Sequence, residues 1–130
     1  MAHSRRNTEA IRDYLSDADR VVEVGIGRRT DLASALAKSG ISVVATDVHE
    51  RTVPDAVTFV RDDIVEPDAS VYEKADALVA QNLPPELHRP TLAVARAVDA
   101  TFVFTTLGGD QPAVPVERKT IPGGTLFVAN

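Results

Sequence analysis

Short apolar runs alternate along this chain with longer stretches in which apolar residues return every three or four positions, which is the alternation of strand and helix patterns. Between about Ser4 and Leu15, Ile11, Tyr14 and Leu15 fall at helical spacing and predict an amphipathic helix that covers a sheet face. Val21 to Val24 reads as a buried strand. Leu32, Ala33, Leu36 and Ala37 then form a stripe of mostly small residues on a helix that starts near Thr30 or Asp31 and stops at Gly40. Ile41 to Thr46 is a β-branched strand ending at Asp47, and Val57 to Val60 is a third short strand.

Ala75 to Ala80 is a fourth strand, after which Gln81-Asn82-Leu83-Pro84-Pro85-Glu86 forms a loop because its prolines stop strand or helix. From about Pro85 to Val98, Leu87, Leu92, Val94, Ala95 and Val98 restore helical spacing. Thr101 to Thr105 is a fifth strand, followed by a flexible turn at Leu107-Gly108-Gly109-Asp110. Val116 to Ile121 and Thr125 to Val128, around Pro122-Gly123-Gly124, read as an antiparallel hairpin. Strands alternating with helices specify an α/β fold, a three-layer, mostly parallel, doubly wound sheet with an antiparallel edge. We expect residues 1–130 to form a single Rossmann-like domain.

Such a sheet binds ligands beyond the carboxyl ends of its central strands. The stretch placed there is Glu23-Val24-Gly25-Ile26-Gly27-Arg28-Arg29-Thr30, a strand, a two-glycine turn and a helix start. It carries the first two glycines of a dinucleotide fingerprint, but Thr30 stands where the third glycine or alanine would be, which disfavours NAD. Asp47 lies 22 residues after Gly25 at the end of the second strand, about the spacing at which a carboxylate accepts hydrogen bonds from ribose hydroxyls.

Charge narrows the picture further. The net charge of −5 lacks the excess of Lys and Arg that nucleic acid or an anionic membrane requires, so neither is an expected partner. Between Asp47 and Asp76, nine acidic residues face three basic ones, a local balance of −6 suited either to a solvated face or to a cation or sugar hydroxyls. Absence of Cys excludes disulfides and a thiolate nucleophile. With no apolar run near the roughly 20 residues that span a bilayer and no secretory leader pattern, a cytoplasmic location is expected.

His3, His49 and His88 do not form a metal-ligand spacing, and no metal site is expected. His49 could reach the crevice, and His88 is read either as a helix-surface residue or as a general base near Asn82. Adjacent Asp62 and Asp63 should point in different directions rather than share one ion. Arg28 and Arg29 are either a solvated pair or contacts for an anionic ligand at a helix amino terminus.

The order of these motifs resembles the class I S-adenosylmethionine-dependent methyltransferases. The resemblance implies that Glu23, Gly25 and Gly27 form the first cofactor motif, that Asp47 binds the ribose and that Asp63 lies on the adenine side. Asp76-Ala77-Leu78-Val79-Ala80-Gln81-Asn82 then takes the place of the fourth-strand motif, with Asn82, Pro84 and Pro85 as the candidates for orienting a methyl acceptor. More closely, the chain, with Pro-Pro-Glu-Leu after its fourth strand, resembles the archaeal uncharacterised protein family 0146. Two features depart from amino-group methyltransferases: Leu83 separates Asn82 from Pro84, and Glu86 stands in place of an aromatic residue. The first expectation is therefore a small S-adenosylmethionine-binding, methyltransferase-like protein, with a protein partner or a second copy completing its substrate side. The other is a non-catalytic cofactor-binding or interaction module on the same fold.

Overall fold

The computed structural model describes the backbone of residues 2–130 and the side chains of residues 5–130; the side chain of His3 therefore lies outside the described residues. Seven strands form one sheet in the order β3-β2-β1-β4-β5-β7-β6. The parallel strands are β1 (Arg20–Val24), β2 (Ser42–Asp47), β3 (Thr58–Arg61), β4 (Ala77–Ala80) and β5 (Thr101–Phe104). The hairpin of β6 (Glu117–Ile121) and β7 (Gly124–Ala129) closes the sheet, with β7 antiparallel to both β5 and β6. This is the expected doubly wound sheet with an antiparallel edge.

Alternation along the central strands fills both faces. On one face Val21, Val43, Ala45, Val79 and Val103 pack beneath α1 (Ala2–Tyr14) and α2 (Asp31–Lys38), through Ile11 and Leu15 of α1 and Leu32 and Leu36 of α2. On the other, Val22, Val44, Leu78, Phe102 and Phe104 pack beneath Leu92 and Ala95 of α4 (His88–Ala97) and Tyr72 of α3 (Ala69–Tyr72). Central strands buried on both sides are what crossover helices impose on a parallel sheet.

Two local features differ from the sequence pattern. The helix expected from Pro85 begins instead as a tighter three-residue turn, Pro85–Leu87, and becomes α-helical at His88. In a continuous α-helix from Pro85, Pro90 would clash with the Glu86 carbonyl and offer it no N–H, so the first turn is tighter and the α-helix starts at His88. α3 has no counterpart in the pattern, because its four residues are too few for a periodic signal; it is held by Asp68, whose carboxylate accepts from the Ser70 amide at 3.0 Å.

Candidate functional site

The register of the parallel strands decides which side chains meet at the carboxyl edge. Glu23 stands opposite Ala45 on β2 and opposite Val79 on β4. Side chains two residues apart in a strand share a face. Asp47 and Gln81, each two residues beyond those partners, therefore lie on the same side of the sheet as Glu23, although the three are far apart in the sequence.

Their hydrogen bonds follow from this placement. Gln81 Nε2 donates to Glu23 Oε2 at 3.1 Å, while Glu23 Oε1, shut off from solvent, has no partner. The Glu23 side chain belongs to a residue only 1% exposed. Burial pushes its carboxyl up to about 7, against the opposing hydrogen bond from Gln81. A buried carboxyl with one oxygen unsatisfied is costly to keep, and it is the kind of group that a ligand's hydrogen-bond donor would relieve.

Beside it the chain turns on Gly25 and Gly27, whose φ values of 67° and 61° lie in the left-handed region open to glycine. A Cβ at either position would meet nothing within 4 Å, so the bare backbone of this turn faces open space. Asp47 holds the turn in place: Oδ2 accepts from the Gly27 amide at 2.8 Å and Oδ1 from the His49 amide at 3.0 Å. Arg51 lies 3.5 Å from Oδ2. Burial alone would raise the Asp47 carboxyl, but the His49 and Gly27 amides and the Arg51 charge outweigh it and hold the group below the ordinary carboxylate range. Two lone pairs on each carboxylate oxygen leave Oδ1 room for a ligand hydroxyl in addition to the His49 amide.

Asp63 is exposed just beyond β3, with Oδ1 accepting from the Val65 amide at 2.9 Å. The Asp62 amide donates to the Asp47 carbonyl at 3.0 Å, which brings this loop beside the end of β2. Asp62 itself turns away to accept from Tyr72 Oη at 2.6 Å and from the Asp68 amide at 3.0 Å, so the adjacent acids have different partners as expected. Among the described residues, no group of three His, Asp or Glu could hold a metal ion, and no helix is long and apolar enough to cross a membrane.

The other half of the edge is built after β4. Asn82 is exposed, adopts a φ of 52°, and donates its amide to Thr105 Oγ1 at 2.9 Å. The inserted Leu83 turns inward, only 4% exposed, with its amide on the Thr105 carbonyl at 2.9 Å. Asn82 is thereby held at the end of β5, one buried residue away from Pro84 and Pro85.

His88 is not on the surface. It is fully buried, its ring tilted against Phe104 with centroids 4.5 Å apart, with Nε2 donating to the Leu83 carbonyl at 2.9 Å and Nδ1 accepting from the Ala113 amide at 3.0 Å. Both ring nitrogens are committed to backbone groups, so its place is structural: it clamps the β5–β6 loop to the segment after β4. Together with Thr91, Leu92 and Ala95 it makes the buried stripe of α4 at helical spacing, and that spacing is the signal by which a sequence reading could have found it.

Family comparison agrees with this architecture. The model of the uncharacterised protein family UPF0146 matches residues 8–130. The chain belongs to the UPF0146 family. A UPF0146 protein of the archaeon Halobacterium salinarum is 54% identical over 116 residues, covering 88% of this chain and 90% of that one. Among solved structures, the chain is similar in fold to magnesium protoporphyrin IX methyltransferase of Synechocystis with bound S-adenosylmethionine, with a TM-score of 0.68 and 13% identity over 98% of this chain and 78% of the other. It also resembles the methyltransferase domain of bacterial CtHen1, with a TM-score of 0.63 and 16% identity over 78% of this chain. The UPF0146 chain spans 65% of that domain's length. At these identities the likeness is one of fold: a methyltransferase-type Rossmann-like sheet.

Proposed function

We propose that the crevice at the carboxyl ends of β1 and β2 binds S-adenosylmethionine, and that the chain is methyltransferase-like in function as well as in fold. One observation carries the reading. Glu23 keeps an unpartnered, buried carboxyl oxygen beside an open glycine turn, where no packing or backbone bond accounts for it. An ammonium group, such as the one on the methionine portion of that cofactor, would satisfy this oxygen.

The remaining residues fit the same ligand. Asp47 retains acceptor capacity for ribose hydroxyls, Gly25 and Gly27 leave the backbone open to close approach, and Asp63 would face the adenine side. When bound, S-adenosylmethionine supplies an electrophilic methyl group on a sulfonium. The protein's part would be positioning, with Asn82 presented at the end of β5 and the Pro84-Pro85 turn shaping the acceptor side. A cytoplasmic location, and a protein partner or second copy that completes the substrate side, belong to the same proposal.

A second reading, a cofactor-binding module without chemistry, draws on the buried Leu83, which keeps Asn82 apart from the two prolines. Titration calorimetry with S-adenosylmethionine and S-adenosylhomocysteine, with NAD and ATP as controls, tests the first reading. Micromolar, selective binding of the pair is expected, reduced by about a hundredfold in Asp47→Ala, which removes both the hydroxyl acceptor and the anchor of the Gly27 amide. Unchanged affinity in a folded Asp47→Ala protein would sink the assignment. Methyl transfer to any acceptor by the purified protein would eliminate the module reading.

A further inference from the structure

Next to the proposed cofactor crevice, beyond the ends of β4 and β5, lies a cleft of about 540 Å³. Arg29 lines it from the β1–α2 turn, Asn82 and Thr105 from just beyond β4 and β5, Asp110 from the glycine turn, and Arg118 from β6. Its lining is mostly polar side chains and glycine backbone with Phe127, and Asp110 is its one acid among the described residues.

Arg118 is held ready rather than spent. It stands opposite Phe127 in the hairpin register, and its guanidinium carbon lies 5.4 Å from the centre of that ring. Stacking engages the face of the guanidinium and leaves its donors at the rim. One of these, Nη2, donates to Gln111 Oε1 at 3.1 Å, which fixes the rotation of the fork. Phe127 is itself buried and packed 5.4 Å from Phe104, so the platform under the arginine is part of the core. A guanidinium oriented on both counts loses little freedom when it captures a planar or tetrahedral oxyanion.

We propose that this cleft binds a small organic anion through a carboxylate or phosphate group on Arg118, with Arg29 adding charge from the β1–α2 turn. As the acceptor side of a methyl transfer, the cleft rests on the cofactor reading above; as an anion receptor it stands independently. Its volume suits a metabolite rather than a macromolecule. An anionic acceptor also fits its setting, because Asp47, Asp62 and Asp63, at and just beyond the ends of β2 and β3, lie on the opposite side of the sheet order.

The test is a pair of titrations of isotope-labelled protein, followed by amide and arginine side-chain resonances at fixed ionic strength, with inorganic phosphate in one arm and succinate in the other. At least one anion should produce saturable shifts at Gly108, Gly109, Asp110 and the Arg118 Nε–H. Arg118→Gln, a change at an exposed position, should weaken that anion about tenfold or more while S-adenosylhomocysteine affinity stays the same. The arm that saturates distinguishes a phosphate receptor from a carboxylate receptor. Absence of saturable shifts in both arms, or shifts that Arg118→Gln leaves unaltered, overturns the proposal, whatever the cofactor does. Anion binding without S-adenosylhomocysteine binding would instead remove the cofactor reading and leave the anion site standing.

Discussion

The two halves of the carboxyl edge are made differently. On the β1–β2 side, a short loop and two neighbouring strands bring Glu23, Gly25, Gly27 and Asp47 together, and one carboxylate, Asp47, secures the turn through the Gly27 amide. On the β4–β7 side, Asn82, Thr105 and Arg118 converge only because His88 ties the β5–β6 loop to Leu83 and because Phe127 carries Arg118. The first half stores its cost in one buried acid; the second spreads its support over aromatic packing and two backbone bonds. The contrast shows that one sheet edge can hold a buried acid with an unsatisfied oxygen beside a relaxed and well-packed half.

The largest expected effect that would sharpen this contrast is at His88. His88→Ala deletes the ring packed on Phe104 and leaves the Leu83 carbonyl and Ala113 amide without partners, so a loss of about 4 kcal/mol in stability is expected by chemical denaturation. S-adenosylhomocysteine affinity should nevertheless hold in the folded fraction. A parallel loss of that affinity would show that the two halves act as one.

Glu23→Gln should give a smaller effect of opposite sign. The folded carboxyl is raised to about 7, while the unfolded one titrates near 4.5. Below about pH 4 both states are neutral and the substitution changes little; as pH rises between these values, the wild-type unfolded state ionises first and stability is lost. By pH 8, Glu23→Gln should be more stable than wild type by up to about 3 kcal/mol, because each pH unit separating the two titrations is worth about 1.4 kcal/mol. Denaturation curves at pH 4 and pH 8 measure it. A gain that is the same at both pH values would mean that Glu23 is not the strained group, and a gain accompanied by loss of ligand binding would place the strain in the service of binding.

The sequence pattern made the first half legible because its determinants are local. Strand, glycine turn and strand-ending acid lie within one strand-helix-strand unit, and their spacing survives without knowledge of the rest of the fold. The mostly parallel, doubly wound sheet with its antiparallel edge followed from the same alternation, whereas the order of its strands did not. Gln81 is hidden as a partner of Glu23 because their meeting depends on the β1–β4 register, a relation between residues 58 apart that no local period encodes. Arg118 is hidden for a similar reason: its role is set by the Phe127 it opposes across the hairpin, and an edge-strand arginine otherwise looks merely solvated. The chemistry of His88 suggests a polar surface position, whereas its spacing with Thr91, Leu92 and Ala95 marks an inward stripe.

The position of β7 between β5 and β6 also gives the molecule an order of assembly. The Ile26 amide meets the Thr46 carbonyl after a loop of only 20 residues closes, but β6 has no neighbour in the sheet until the later strand β7 slides in beside Phe102, Val103 and Phe104. The two loops are similar in length, but the β5–β7 ladder also needs the β6–β7 hairpin to dock as a unit on a sheet that already contains β5. In pulse-labelled hydrogen exchange during refolding, the Ile26 amide should therefore become protected before the backbone amides of the β5–β7 ladder. The glycine turn would be an early product of folding, and the arginine platform a late one.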